Sequence, residues 1–233
     1  TLADQKAEEY IEKELKSILP DVVMVGEESV AGGDRPDLSG LEYFWLVDPL
    51  DGTKEFISGS GEYTVNIALI HKKQPVIGVV YVPVSGDLYA GNIEENGDME
   101  AIFWRDETDH EKIITVRPPP NKGLSVVASK NHGNSEKLDA FLSDFKVNKI
   151  VKRGSSLKIC AIAAGKADIY PRLGPTCEWD TAAGHAVLRA AGGDILQING
   201  EPLVYGGDDP KLLNPEFVAA GFDWFISDEN ETS

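Results

Sequence analysis

The run Trp45-Leu46-Val47-Asp48-Pro49-Leu50-Asp51-Gly52-Thr53-Lys54-Glu55-Phe56 sets two carboxylates three residues apart, where an apolar strand gives way to a Gly-Thr turn. Carboxylates at that density repel one another and lose solvation unless a positive charge sits between them. A hard divalent cation meets that need. Magnesium favours a few carboxylates, waters and substrate phosphate oxygens, and the Leu50 carbonyl is one more oxygen between Asp48 and Asp51. The same residue types also build acidic surface turns. Three further acidic positions weigh against a plain turn: Asp4, Glu27-Glu28-Ser29 after the apolar run 22–25, and Trp179-Asp180 ahead of a small-residue helix. Each stands at the boundary of an apolar or helical segment, where regular structure holds loop chemistry, and one metal centre can gather them.

The elements that must position these acids are legible from periodicity. Ala7, Tyr10, Ile11, Leu15 and Ile18 recur at helical spacing, which predicts an amphipathic helix over 5–19, stopped near Pro20, with Asp4 as its N-cap. Strands are predicted over 22–25 and 43–47, with a Gly/Asp/Pro-rich loop over 31–40 between them. Residues 63–71 and 76–83 read as a hairpin joined by the polar 72–75, and 88–90 and 101–104 as strands around the turn 94–98. Pro118-Pro119-Pro120 is the natural seam, dividing a metal-binding α+β lobe, 1–120, from an α/β lobe, 121–233, that completes the site. Beyond it the pattern is strand 124–128, helix 135–145, strand 147–151, helix 155–164, strand 167–170, helix 180–191, strand 194–198 and strand 217–220. That alternation is α/β. The polar tail 227–233 reads as loose.

Bulk properties narrow the function. At 233 residues the chain supports one sizeable core or two small lobes. Its 22 basic against 39 acidic residues give a net charge of −17 with no basic block. Nucleic-acid polymers and anionic membranes are therefore repelled, and an anionic small molecule must be met locally, through metal or a small basic pocket. Cys160 and Cys177 form no C-x-x-C pair, and no apolar run approaches the roughly 20 residues that span a bilayer. The reading is a cytoplasmic protein without an integral membrane segment. The absence of a leading Met at Thr1 leaves room for a natural segment ahead of it, and the oligomeric state stays open.

With these residues placed, the chain resembles the inositol monophosphatase superfamily, and within it the bacterial 3′(2′),5′-bisphosphate nucleotidase branch. The resemblance rests on Gly26-Glu27-Glu28-Ser29, the Trp45 to Thr53 run and Glu178-Trp179-Asp180-Thr181-Ala182-Ala183-Gly184, in family order over nearly the whole chain. Lys54-Glu55-Phe56-Ile57, where inositol monophosphatases typically have Thr-Asn-Phe, carries the branch. So do Gly154-Ser155-Ser156-Leu157-Lys158 and Tyr170-Pro171-Arg172-Leu173-Gly174-Pro175-Thr176, where Arg172 replaces a common Glu. The family's first helix and β-hairpin would precede Thr1, and 89–109 departs from its glycine-rich, aromatic pattern.

The resemblance implies a sandwich of alternating helical and sheet layers. It also implies magnesium-dependent removal of the 3′-phosphate of adenosine 3′,5′-bisphosphate to AMP, sensitivity to lithium, and a place in sulfur assimilation. It places two Mg²⁺ ions, or three, on Glu27, Asp48, the Leu50 carbonyl, Asp51 and Asp180, with Asp48 bridging and Glu28 behind the ligands. Asp4, Thr53 and Glu27 would orient the attacking water. Amides around Gly52 and Thr53 suit an incoming phosphate, and Gly154, Ser155, Ser156, Lys158 and Arg172 would contact the nucleotide. Ser155, Ser156 and Lys158 equally suit a helix cap and a solvated face. His185 reads as a core histidine, since hard magnesium favours oxygen, and Trp45, Phe56 and Trp179 as packing.

Three alternatives stand beside this one. A strand running into D-x-D-G-T would mark a haloacid dehalogenase-like phosphatase with a covalent aspartate. Here an extra residue separates the acids, and in an extended chain that turns the second carboxylate to the opposite face. An inositol monophosphatase would use the same metal centre, and a non-catalytic phosphatase-fold protein would bind nucleotide without turnover.

Overall fold

A computed structural model describes residues 1–129 and 135–225. Helix α1 (Leu2–Ile18) leads into strand β1 (Val23–Gly26), the short helix α2 (Glu27–Ala31), strand β2 (Tyr43–Asp51) and the short helix α3 (Thr53–Ser58). A meander follows: β3 (Thr64–His71), β4 (Gln74–Val82), β5 (Asp87–Ile93), β6 (Met99–Arg105) and β7 (His110–Ile113). After the prolines come β8 (Leu124–Ser129), α4 (Ser135–Leu142), β9 (Val147–Arg153), α5 (Leu157–Ala163), β10 (Ile169–Arg172), α6 (Glu178–Ala190), β11 (Asp194–Gln197) and β12 (Phe217–Ala220). Strands β1 to β7 form one sheet in sequence order, and the other five form a second in the order β11-β12-β10-β8-β9.

Strand alternation explains why the layers stack as they do. On β2, Trp45 and Val47 pack with Leu15 of α1, while Phe44 and Leu46 share a core with Ile159 of α5 and Ala183 and Val187 of α6. On β12, Phe217 and Ala219 join that same central core, whereas Val218 and Ala220 pack on the far side with Leu142 of α4. The order through the molecule is helix, sheet, helix, sheet, helix. This is the layered sandwich the resemblance implies. No helix among the described residues is long and apolar enough to cross a membrane.

The central layer depends on two glycines. Gly78 on β4 and Gly91 on β5 are cross-strand partners, and both lie under α6. A Cβ at Gly78 would come within 2.7 Å of Ala186 Cβ, and one at Gly91 within 2.6 Å of Val187 Cα. With no side chain at either position, α6 settles onto the sheet backbone through its own small residues, Ala182, Ala183 and Ala186, all essentially buried. That close approach sets where the N-terminus of α6 meets β2.

Several expectations shift. The first helix begins at Leu2 with Thr1 as its N-cap, so Asp4 is the third helical residue and bonds back to Thr1; a capping box outcompetes a simple Asp cap. Strand β2 runs on through Asp51 instead of stopping at Val47. The β3–β4 turn is only Lys72-Lys73, both left-handed at φ 49° and 66°, the hand that matches strand twist. Gln74 and Pro75 already belong to β4. Helix α2 and strand β7 were not anticipated. The tail reading over 227–233 lies outside the described residues.

Candidate active site

Strand β2 carries two of the acids. Between Asp48 and Asp51 its register with β3 slips, Asp48 facing Asn66 and Asp51 facing Thr64. Three steps on one strand thus match two on the other, and the extra residue returns Asp51 to the side that Asp48 faces. The regular alternation that would separate the two carboxylates does not hold. Asp180 arrives from α6, and single oxygens of Asp48, Asp51 and Asp180 lie within 4.8 Å of one another.

Each carboxylate is held in place. Asp48, 1% exposed, accepts the Leu50 amide at 2.9 Å. Asp51 Oδ2 accepts the Ser156 amide at 2.7 Å and the Ser156 hydroxyl at 3.0 Å, with Thr64 Oγ1 and Asn66 Nδ2 each at 3.4 Å. Asp180, third residue of α6, reaches back to accept the Cys177 amide at 2.8 Å, which favours an anion at a helix start. Glu27, first residue of α2, stands beside Asp48.

Burial then works against this charge. It raises the Asp48 carboxyl well above the carboxylate range, helped by Asp51, Glu27 and Asp180. Asp180 is pushed up to about 7, first by burial and then by Asp51. Glu27 is raised by burial, against its contact with Asp48. An all-oxygen, partly buried acidic cluster that resists ionising alone is what a hard divalent cation relieves, and a bound ion inverts that local pKa logic. The donor set fits magnesium.

A cavity of about 390 Å³ opens beside the triad. Gly52 forms one wall at φ 97°, a left-handed turn suited to glycine, and a Cβ there would sit 3.2 Å from the Glu62 carbonyl. Thr53 begins α3, and its hydroxyl comes to 3.5 Å from the Leu50 carbonyl. Opposite stand Ser155, Lys158 and Arg172. Lys158 is 7% exposed, donates to the Ser155 carbonyl at 2.6 Å and lies 5.4 Å over the Tyr170 ring. The solvated-face reading of Lys158 is therefore wrong: the side chain is buried at the cavity wall, and burial lowers its pKa. Arg172 is 8% exposed and bonds the carbonyls of Gly174 at 3.1 Å and Pro175 at 2.6 Å, with no ion pair to a carboxylate among the described residues.

The remaining expected residues divide. Ser156 caps α5 without a side-chain cap bond; its hydroxyl turns to Asp51, the Asp180 carbonyl and Asn66. Gly154 donates its amide to Glu62 at 2.8 Å. Asp4 is buried and influences Glu27 through its charge, but no hydrogen bond among the described residues joins it to Thr53. His185 is a core residue bonded to Tyr205 and Asp194. Trp45 and Trp179 are buried, whereas Phe56 is 37% exposed and meets Tyr63 edge-on, so its packing is peripheral.

One contributor escaped the motif reading, and one motif residue stays out of the site. Asn66, wholly buried on β3, bridges Asp51 and Ser156; a lone amide in the apolar run Thr64 to Ile70 was the available signal. Glu178 sits beside the site yet turns away, accepting the amides of Gly206 at 2.6 Å and Gly207 at 2.9 Å.

The model of the inositol monophosphatase family matches residues 1–221. The chain is 42% identical over 219 residues to the 3′(2′),5′-bisphosphate nucleotidase CysQ of Escherichia coli strain K12, covering 93% of this chain and 83% of the relative. It is 31% identical to the protein of the same name from Haemophilus influenzae, covering 96% and 82%. Among solved structures, CysQ from Bacteroides thetaiotaomicron superposes with a TM-score of 0.78 at 38% identity, covering 94% of this chain and 84% of that one. The inositol monophosphatase from Anabaena gives 0.70 at 20% identity, covering 94% and 81%, a likeness of fold alone.

Proposed function

The chain belongs to the inositol monophosphatase family, and from that premise we propose that it is a magnesium-dependent 3′(2′),5′-bisphosphate nucleotidase. It would release the 3′-phosphate of adenosine 3′,5′-bisphosphate to give AMP and phosphate. The observation that carries the branch is Arg172: a buried guanidinium at the cavity wall that bonds two backbone carbonyls and, among the described residues, makes no ion pair with a carboxylate. A second, non-reacting phosphate supplies the missing counter-charge, and guanidinium suits it better than an ammonium would.

Metal dependence goes with the family and with the acidic triad. Glu27, Asp48, the Leu50 carbonyl, Asp51 and Asp180 would hold two Mg²⁺ ions. When bound, magnesium activates water and offsets charge developing on the phosphoryl and leaving oxygens. The chain's own residues do the rest. The amides of Gly52, the N-cap of α3, and of Thr53, its first residue, have no intrahelical partner and would bind the transferring phosphate. Lys158 and Arg172 hold the other phosphate, and Ser155 and Gly154 shape the wall between them. Thr53 Oγ1, beside the Leu50 carbonyl, orients the attacking water together with Glu27, and Asp4 adds negative charge behind Glu27.

A covalent route through sulfur has no support. Cys160 is fully buried, and burial pushes the Cys177 thiol up to about 12, so neither supplies a thiolate.

Phosphate release across adenosine 3′,5′-bisphosphate, adenosine 2′,5′-bisphosphate, 3′-phosphoadenylyl sulfate and inositol 1-phosphate, with and without Mg²⁺, tests the proposal. Bisphosphate turnover that a chelator abolishes and Mg²⁺ restores is the expected result. A preference for inositol 1-phosphate, or full activity in chelator, overturns it.

A further inference from the structure

The ligand reading above rests in part on Glu27, yet α2, which presents it, is five residues long and has no cap of its own: its N-cap is Gly26, without a side chain. A helix that short is marginal, and its first amides need partners. Those partners come from α1. Glu8, only 5% exposed, accepts the Glu28 amide at 2.8 Å through Oε2, and the Ser29 amide at 2.8 Å together with the Ser29 hydroxyl through Oε1. A side chain from the preceding helix thus performs the capping that Gly26 cannot, and the partial positive charge of the α2 start suits a carboxylate.

The glycine is explained by the same contact. Gly26 has extended backbone, φ −110° and ψ 152°, which any residue adopts, so conformation does not demand glycine there. Space does: a Cβ on Gly26 would run into the Glu8 carboxylate. Gly26 is the slot through which Glu8 reaches the two amides that follow Glu27.

We propose that Glu8 is a positioning residue for the metal centre, acting through the α2 backbone to hold Glu27 against Asp48, and that Gly26 is glycine to admit it. The proposal rests on the metal-dependent reading of the site. Glu8 belongs neither to the cavity lining nor to the Asp48, Asp51 and Asp180 cluster. Its loss therefore weakens magnesium binding and leaves substrate affinity at saturating magnesium unchanged.

The test is a double-mutant cycle on Glu8→Ala, Gly26→Ala and the pair, with Glu8→Gln as the conservative variant. Two measurements are made: phosphate release, which gives the half-maximal Mg²⁺ concentration and, at saturating Mg²⁺, kcat and KM for adenosine 3′,5′-bisphosphate, and thermal denaturation, which gives the Mg²⁺-induced rise in Tm and needs no turnover. Glu8→Ala should raise the half-saturating Mg²⁺ about tenfold, because the three hydrogen bonds that hold the α2 start are lost, with KM unmoved. Gly26→Ala should do the same in the wild-type background and almost nothing further in the Glu8→Ala background, because the group it displaces is already gone. Glu8→Gln keeps an acceptor for Ser29 and turns an amide toward the Glu28 N–H, so it should fall between. If Glu8→Ala does not fold, Gly26→Ala and Glu8→Gln carry the Mg²⁺ measurement. Wild-type Mg²⁺ affinity in the variants, additive effects of the two alanines, or a rise in KM without a change in Mg²⁺ dependence overturns the inference. A wild-type protein that shows no Mg²⁺ response overturns the proposed function itself, so the two failures are distinguishable.

Discussion

Asp51 and Asp180 come from different sheets' worth of chain, and Ser156 ties them: its hydroxyl lies 3.0 Å from Asp51 Oδ2 and 2.8 Å from the Asp180 carbonyl oxygen, while its amide donates to the same Asp51 oxygen at 2.7 Å. One hydroxyl proton serves two acceptors in alternation, and Asn66 Nδ2 donates to the oxygen from 2.8 Å. Ser156→Ala keeps the amide bond but leaves the buried Asn66 amide only its longer, 3.4 Å bond to Asp51. Urea denaturation should show a loss of about 1–3 kcal/mol, and half-maximal activity should need more Mg²⁺. A variant with unchanged stability and metal dependence would count against Ser156 as the tie.

Without metal, stability should fall as pH rises. Asp180 is held near 7 in the folded protein against an ordinary 3.8, and Asp48 and Glu27 are also raised, burial leading in each case. A carboxyl that binds its proton more tightly when folded contributes stability below its unfolded pKa and loses it as pH climbs through the folded value. Thermal denaturation in chelator should therefore show a decline between about pH 4 and pH 7, on the order of 1–3 kcal/mol. Saturating Mg²⁺ should remove or reverse the slope, and Asp180→Asn should flatten it. Equal stability of the chelated wild type at both ends of that window would refute the account.

Asp48→Asn separates folding from turnover. The asparagine carbonyl can still accept the Leu50 amide, which Asp48 accepts at 2.9 Å, so the β2 irregularity should survive. Removing one of several crowded charges should leave metal-free stability at or above wild type. Phosphate release should drop by a factor of about 100 or more, in line with losing a principal electrostatic group. Near-wild-type turnover would remove Asp48 from the ligand set.

Substrate choice should turn on Arg172. Arg172→Glu places a carboxylate where the second phosphate is proposed to bind, so KM for adenosine 3′,5′-bisphosphate should rise far more than KM for inositol 1-phosphate. Arg172→Lys should show a milder form of the same bias, since it keeps the charge and loses the fork. Equal effects on both substrates would mean that Arg172 only braces the Gly174 and Pro175 carbonyls.

The seating of α6 is open to direct attack at the sheet. Gly91→Ala drives a methyl to 2.6 Å from Val187 Cα, and overpacking of this kind costs about 1–3 kcal/mol. Because α6 carries Asp180 at its start, activity should fall further than global stability alone explains. Full activity in a folded Gly91→Ala protein would show that the helix height does not set the triad.

The acids and the helices and strands that bear them were readable from the chain alone, because apolar periodicity and turn residues are local signals. So was the place of Lys54, Glu55 and Arg172 in the nucleotidase branch, since a motif needs only order and spacing. Folding decided what depends on contacts across the layers. Spacing put Asp48 and Asp51 on opposite faces, and only pairing with β3, where Thr64 and Asn66 set the register, turned them to the same side. Lys158 shows the same limit: a charged residue one step into a helix reads as solvated until β10 and Tyr170 close over it. Glu8 lies in no motif, and the motif that holds Gly26 does not say why a glycine stands there. Their meaning arises because α1 crosses the start of α2, where the buried Glu8 carboxylate meets the amides of Glu28 and Ser29 and the Ser29 hydroxyl, just after Glu27.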